Sequence, residues 1–313
     1  MKVFDLHCDT VSHVAWGLAS SLSGAGAPKH ISVEKLKKGE SYVQCLGLYG
    51  GKQSSNDFEW NYMRYLFELG TRLVLQEPEL HLINSMEECR DDIVNVIFTV
   101  EDSGCMRGEE KNTIWAYNHG ARMFGITHNT ENAYGYPNSE DPLVMKMGLK
   151  PEGIRLVEQL NQLGALVDVS HLSYGGFWDV EKICQGRPFV ASHSCAEGLH
   201  HHTRNLTDDM IRAISNHGGI IGINFMSKFA TGDEKLLYTQ DVVTQAQYIK
   251  NVGGIDCLAL GSDFDGIGNS LEFGDASGMG QIADALLKSG FTLDETEKIM
   301  YKNAFRVFKE VCK

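Results

Sequence analysis

The sequence predicts an α/β fold, a (β/α)₈ barrel of TIM type. Eight short β-branched runs recur along its 313 residues with amphipathic helical text between them, and the residues able to do chemistry gather where those runs end. A barrel of this kind typically takes about 250 residues or more. Residues 1–313 are therefore read as a single barrel domain.

In chain order the expected strands are Val3–His7, Tyr42–Tyr49, Val94–Glu101, Ala121–Thr127, Ala165–His171, Phe189–His193, Gly219–Phe225 and Cys257–Asp263. Between them, Trp60–Leu75, Pro151–Leu163 and Thr207–Asn216 return apolar residues at three- and four-residue intervals, the period of a helix with one buried face. Thr207-Asp208-Asp209 and Thr292-Leu293-Asp294-Glu295 place a capping hydroxyl at a helix start. No G-x-G-x-x-G or Walker motif favours a nucleotide-binding sheet, although pattern alone leaves an open doubly wound sheet as the alternative. Ser20–Ser32 and Asn129–Gly148, the latter with Pro137 and Pro142, fall outside the repeat and read as long loops beside the strand ends.

Hydrophobic residues make up 42% and charged residues 22%, near globular averages, so the chain has material for a sizeable core. A net charge of −13 without a Lys/Arg cluster argues against nucleic acid or an anionic membrane as partner. Met1-Lys2-Val3-Phe4-Asp5 enters a charged strand at once, and no run reaches the length of a membrane span. The eight cysteines show no C-x-x-C pair and are read as free thiols. A cytoplasmic protein is the expectation.

The first strand ends in His7-Cys8-Asp9, and alternation turns His7 and Asp9 to one face with Cys8 away from it. By itself such a pair is more often a buried His–Asp hydrogen bond than a metal site. The apolar third strand ends on Glu101, a carboxylate that is costly to bury unless it is paired or ligates a cation. The fifth and sixth strands close on His171 and His193. Imidazole with carboxylate suits zinc, and five ligands exceed the three of a mononuclear catalytic site, so two metals sharing one carboxylate fit the count. Asp263, at the end of the eighth strand, is placed for proton transfer, while Asp265 reads as a loop-fixing residue and Asp102 as structural. His128 is a candidate oxyanion stabiliser or an ordinary loop histidine, and Arg204 a candidate for a substrate carboxylate or an ordinary surface arginine. His200-His201-His202 reads as a solvated loop.

Together these motifs resemble the membrane (renal) dipeptidase family of zinc metallopeptidases. The likeness runs nearly end to end, through Asp5-Leu6-His7-Cys8-Asp9, Glu101-Asp102, Thr127-His128-Asn129, Asp168-Val169-Ser170-His171, Ser192-His193-Ser194, Arg204-Asn205, Gly261-Ser262-Asp263-Phe264-Asp265-Gly266 and Asn303-Ala304-Phe305-Arg306-Val307-Phe308. The resemblance implies a distorted (β/α)₈ barrel with two zinc ions, one on His7 and Asp9, the other on His171 and His193, bridged by Glu101. It implies attack by a water bridging the two ions on a dipeptide, often with a D-residue at the C-terminal position. His128 would contact the carbonyl oxygen, Arg204 would help bind substrate, and Asp263 would sit beside the water and the dipeptide amino group. Small dipeptides are the expected partners, and a homodimer is compatible with the reading. Mammalian members carry a secretion signal, disulfides and a glycolipid anchor that this sequence does not suggest, so localisation is not carried over. Phe229 stands where a tyrosine is expected, which puts that substrate contact in question. Other binuclear-metal barrel hydrolases, acting on lactones, cyclic amides or phosphotriesters, stay open as alternatives, as does a metal-binding relative without turnover.

Overall fold

The computed structural model of the chain describes residues 1–50 and 56–312. All eight expected strands form: β1 Val3–Asp5, β2 Ser41–Tyr49, β3 Val94–Glu101, β4 Ala121–Gly125, β5 Leu166–Asp168, β6 Val190–Ser194, β7 Ile220–Ile223 and β8 Leu258–Leu260. Neighbours pair in parallel, and the pairing of Asp5 with Leu260 joins β8 back to β1. Closure excludes the open sheet. A short strand missed in the sequence, Leu80–Leu82, extends one edge of β3 at Val94–Val96; with three residues it shows too little alternation to be read.

The expected helices lie where periodicity placed them, at Asn56–Leu75, Pro151–Leu163 and Asp208–Asn216. Thr207 caps the last of these by accepting from the Met210 amide, and Thr292 with Glu295 forms a reciprocal capping box. Strands β1, β4, β5, β7 and β8 stop a little earlier than predicted, and for β1 and β5 the cause is visible. Asp168 Oδ1 accepts from the amides of Ser170 and Ser192, and Asp5 Oδ1 from the amide of Ser262. A side chain takes the donors that a longer ladder would have used.

Every strand sends apolar side chains into the barrel, among them Phe4, Val43, Cys45, Ile97, Met123, Leu166, Val190, Ile220 and Ala259. Ala304, Val307 and Phe308 of the terminal helix Asn303–Val311 pack beneath them. Asn303 donates to the carbonyls of Ile255 and Leu258, and Arg306 to those of Gly218 and Asp256. The terminal Asn303–Phe308 motif thus plugs the floor and leaves the C-terminal mouth as the end where chemistry can occur.

Strand alternation then orients the mouth. Ile97 faces the interior, so Thr99 and Glu101 share its direction; Val43 and Cys45 face inward, and Gly47 and Tyr49 follow. Gly47 is glycine for a steric reason, since a Cβ there would lie 2.9 Å from Cε1 of His7.

Asp265 proves to be the residue that fixes the rim. Its Oδ1 accepts from the His30 amide at 2.8 Å and its Oδ2 from the Thr10 hydroxyl at 2.8 Å, while its own amide donates to His30 Nδ1. Its φ of 65° is in the left-handed region that Asp tolerates better than Ala. Asp265→Ala strands two buried donors, and each unsatisfied group costs about 1–3 kcal/mol. We expect a loss of about 3 kcal/mol, read as a lower urea midpoint at unchanged slope; an unchanged midpoint would remove Asp265 from this role.

Candidate metal centre

Four of the predicted residues converge at the mouth around one carboxylate oxygen, that of a fifth, Glu101. Glu101 Oε1 lies 3.3 Å from Nε2 of His171, 3.6 Å from that of His193, 3.7 Å from that of His7 and 3.9 Å from that of His128. Asp9 Oδ2 is 3.7 Å from His7 Nε2. Ligand atoms of His7, Glu101 and His193 lie within 4.8 Å of one another, as do those of Glu101, His128 and His171, and those of His7, Asp9 and Asp263. Cys8 turns away from the site, its thiol donating to the Cys45 carbonyl.

The histidine that follows β5 and the one on β6 reach the site against simple alternation. Val169 and Ala191 belong to the outer core, so continued pleating would turn His171 and His193 outward as well. His171 escapes by adopting a φ of 67°. His193 lies where the register of β6 on β7 shifts between Ala191 and Ser194.

The hydrogen-bond network assigns the imidazole tautomers. His171 Nδ1 donates to Asn129 Oδ1 at 2.9 Å, and His193 Nδ1 donates to Ser192 Oγ at 2.7 Å. Each Nε2 is left as a lone pair, and the two Nε2 atoms lie 3.0 Å apart. Two lone pairs facing each other at that distance call for a cation between them. His7 Nε2 and Asp9 Oδ1 are likewise buried without a partner among the described residues, which is costly unless something positive is supplied.

The charges agree. Burial, then the neighbouring Asp9, holds the Glu101 carboxyl well above the carboxylate range, and the same two causes push Asp263 up to about 6. Burial alone would favour neutral His7, but Glu101 and Asp9 overcome it and raise the imidazole to about 10. Burial drives His171 and His193 well below their ordinary value and His128 down to about 4. Neutral imidazoles at His128, His171 and His193, beside Glu101 and Asp263 carboxyls reluctant to ionise, are a ligand set that metal cations would complete, displacing the proton that Glu101 and Asp9 hold on His7.

The remaining candidates ring this cluster. Arg204 is buried, its Nη atoms donating to Ser194 Oγ and the His193 carbonyl, its Nε without a partner among the described residues; the surface-arginine alternative is excluded. Asp263, at a φ of 60°, accepts from Asn224 Nδ2 at 3.0 Å. Phe229 lies beside the His202 ring and 5.7 Å from the Arg204 guanidinium. The His200–His202 tract contributes to none of the possible metal groups among the described residues, and His201 is spent on Glu197. Asp102 is structural as read: it accepts from Gly104 and Asn132 and shapes the turn after β3. The Asn129–Gly148 loop docks on the rim through Asn138, whose amide donates to the His171 carbonyl and whose side chain donates to Thr203.

Sequence reasoning missed Asn129, Ser192 and Asn224. Asn224 carried the signal used elsewhere, a polar residue closing an apolar strand. Asn129 and Ser192 act through side-chain hydrogen bonds that no spacing rule reveals.

A closed parallel barrel with imidazoles and carboxylates converging at its C-terminal mouth defines the class of metal-dependent barrel hydrolases. The profile of the membrane dipeptidase family (peptidase family M19) matches residues 1–313, and the chain belongs to that family of metallopeptidases. It is 35% identical over 236 residues to an uncharacterized protein in the pqqA 5′ region of Klebsiella pneumoniae, covering 72% of this chain and 86% of that one. Dipeptidase tcpJ of Claviceps purpurea (strain 20.1) is 33% identical over 194 residues, 61% of this chain and 45% of that one. Among solved structures, dipeptidase AC, a metallo peptidase of the same family, matches at a TM-score of 0.92 and 22% identity, over 100% of this chain and 99% of that one. A metallo peptidase from Rhodobacter sphaeroides matches at 0.89 and 22% identity with the same coverage. The family and the barrel read from the sequence are both borne out.

Proposed function

We propose that this chain hydrolyses dipeptides, including those with a C-terminal D-residue, with two zinc ions at the mouth. The single observation that carries the reading is the convergence of His7, Asp9, His171 and His193 around Glu101, with buried nitrogen and oxygen atoms left unpartnered. His7 and Asp9 would hold one ion and His171 and His193 the other, with Glu101 between them; N and O donors of this kind suit zinc. When bound, such a pair supplies an acidified water and polarises a carbonyl.

The chain's own groups do the rest. Arg204, buried with donor capacity unspent, is suited to a substrate carboxylate. His128, neutral beside Glu101, stands where charge develops on the carbonyl oxygen. Asp263, oriented by Asn224, accepts the proton of the attacking water and passes it to the leaving amine. The Rhodobacter sphaeroides relative is liganded with a phosphinate mimic of L-Ala-D-Ala, which motivates the D-residue arm of the test.

The test is metal content per chain together with turnover of mixed L,L and L,D dipeptides, set against lactones and phosphotriesters. Zinc retention with dipeptide turnover above that of the esters is expected. Preferred turnover of a lactone or phosphotriester, or none of any dipeptide with zinc present, would sink the assignment.

A further inference from the structure

The metal centre stands on two matching supports. On one side of the barrel Asp5 receives both the amide and the hydroxyl of Ser262, the residue before Asp263. On the other Asp168 receives both the amide and the hydroxyl of Ser192, the residue before His193. All four side chains are buried. The supports differ in what the hydroxyl oxygen meets: that of Ser192 faces His193 Nδ1 at 2.7 Å and Ser170 Oγ at 3.3 Å, whereas that of Ser262 faces the His7 carbonyl and the Phe264 amide and, among the described residues, no imidazole.

We propose that Asp168 and Ser192 are positioning residues that lock His193 in the tautomer able to bind metal. This rests on the metal-centre reading above and deepens it. A hydroxyl has one hydrogen. Because Asp168 Oδ2 takes that of Ser192, the oxygen of Ser192 is left to accept, and the hydrogen it accepts is that on His193 Nδ1. The ring proton is thereby held on Nδ1, and the Nε2 lone pair points at Glu101 and His171. The relay is directional because Asp168 has no freedom to reverse: its Oδ1 is committed to the amides of Ser170 and Ser192. Partners of this kind, one bond removed from the ligand, typically affect metal affinity by about 10- to 100-fold.

Asp168→Asn is the decisive variant, because it preserves shape and inverts the relay. The amides of Ser170 and Ser192 compel the introduced carboxamide to keep its oxygen toward them, so its NH₂ faces the Ser192 hydroxyl and donates. The Ser192 hydrogen then turns to Nδ1, 2.7 Å away, in preference to Ser170 Oγ at 3.3 Å, and displaces the ring proton to Nε2, the atom the metal needs. Metal-free chains would be titrated with Zn²⁺ against a chromophoric chelator. D168N and Ser192→Ala are expected to weaken one Zn²⁺ by about 10-fold or more, with Ser192→Thr restoring affinity to within about threefold of wild type. Ser262→Ala, which removes the equivalent hydroxyl from the matching support, should leave both affinities nearly unchanged. Wild-type affinity in D168N and S192A overturns the relay, and so does an equal loss in S262A, since that would mark general loosening. Because the readout is metal, a chain that binds Zn²⁺ without cleaving dipeptides loses only the substrate class, and the Ser192 and Asp168 comparison still decides the relay. A wild-type chain that binds no Zn²⁺ overturns both.

Discussion

Glu101→Ala is expected to empty the mouth of metal and abolish activity together. Four imidazole nitrogens lie within 3.9 Å of one oxygen of this carboxylate, and no other side chain is so placed among the described residues. Without it the two halves of the ligand set share no anionic group, and one ion or both should be lost on gel filtration. A metal of this kind supplies several kcal/mol of transition-state stabilisation, so kcat/KM should fall by about a thousandfold or more. Unfolding is separable from this outcome. In the metal-free chain burial and Asp9 raise the Glu101 pKa, and a carboxyl whose folded pKa is raised weakens folding at pH values above its unfolded pKa. Its removal should therefore leave metal-free stability at neutral pH undiminished. Full activity of the variant in a metal-replete assay would eliminate the bridging role.

Asp263→Asn should have the second-largest effect and the opposite signature for metal. The residue sits at a φ of 60°, which asparagine adopts as readily as aspartate, and its neighbour Asn224 can still pair with the new amide. Zinc should be retained. The lost function is proton transfer, worth about 10²- to 10⁴-fold, and the drop should fall on kcat with KM little moved. Turnover at the wild-type rate would take Asp263 out of the proton path.

The legible and the illegible parts of this protein divide along one physical line. Eight strands were readable because buried parallel strands are runs of β-branched residues, and their ends were readable because a His, Asp or Glu interrupts such a run. His7, Asp9, Glu101, His128, His171, His193, Arg204 and Asp263 could all be nominated that way, and the structure brings them to one mouth. Cys8 and the His200–His202 tract could be discounted by alternation and splay. Reading the Asn303–Phe308 motif as a floor plug was not open to the sequence, because a helix names its apolar face and not what that face covers.

Local pattern decides which residues form strands and which polar groups close them, because burial and pleating act over a few residues. Closure of the barrel, the inward turn of His171 through a left-handed φ, the shifted register at His193 and the contacts that join Asp168, Ser192 and His193 were settled only by the tertiary structure. Each depends on contacts between strands distant in sequence, where a side-chain oxygen takes a backbone donor and redirects the chain. In strict pleats His171 and His193 would face away from the metal centre. Long-range hydrogen bonding turns them into it.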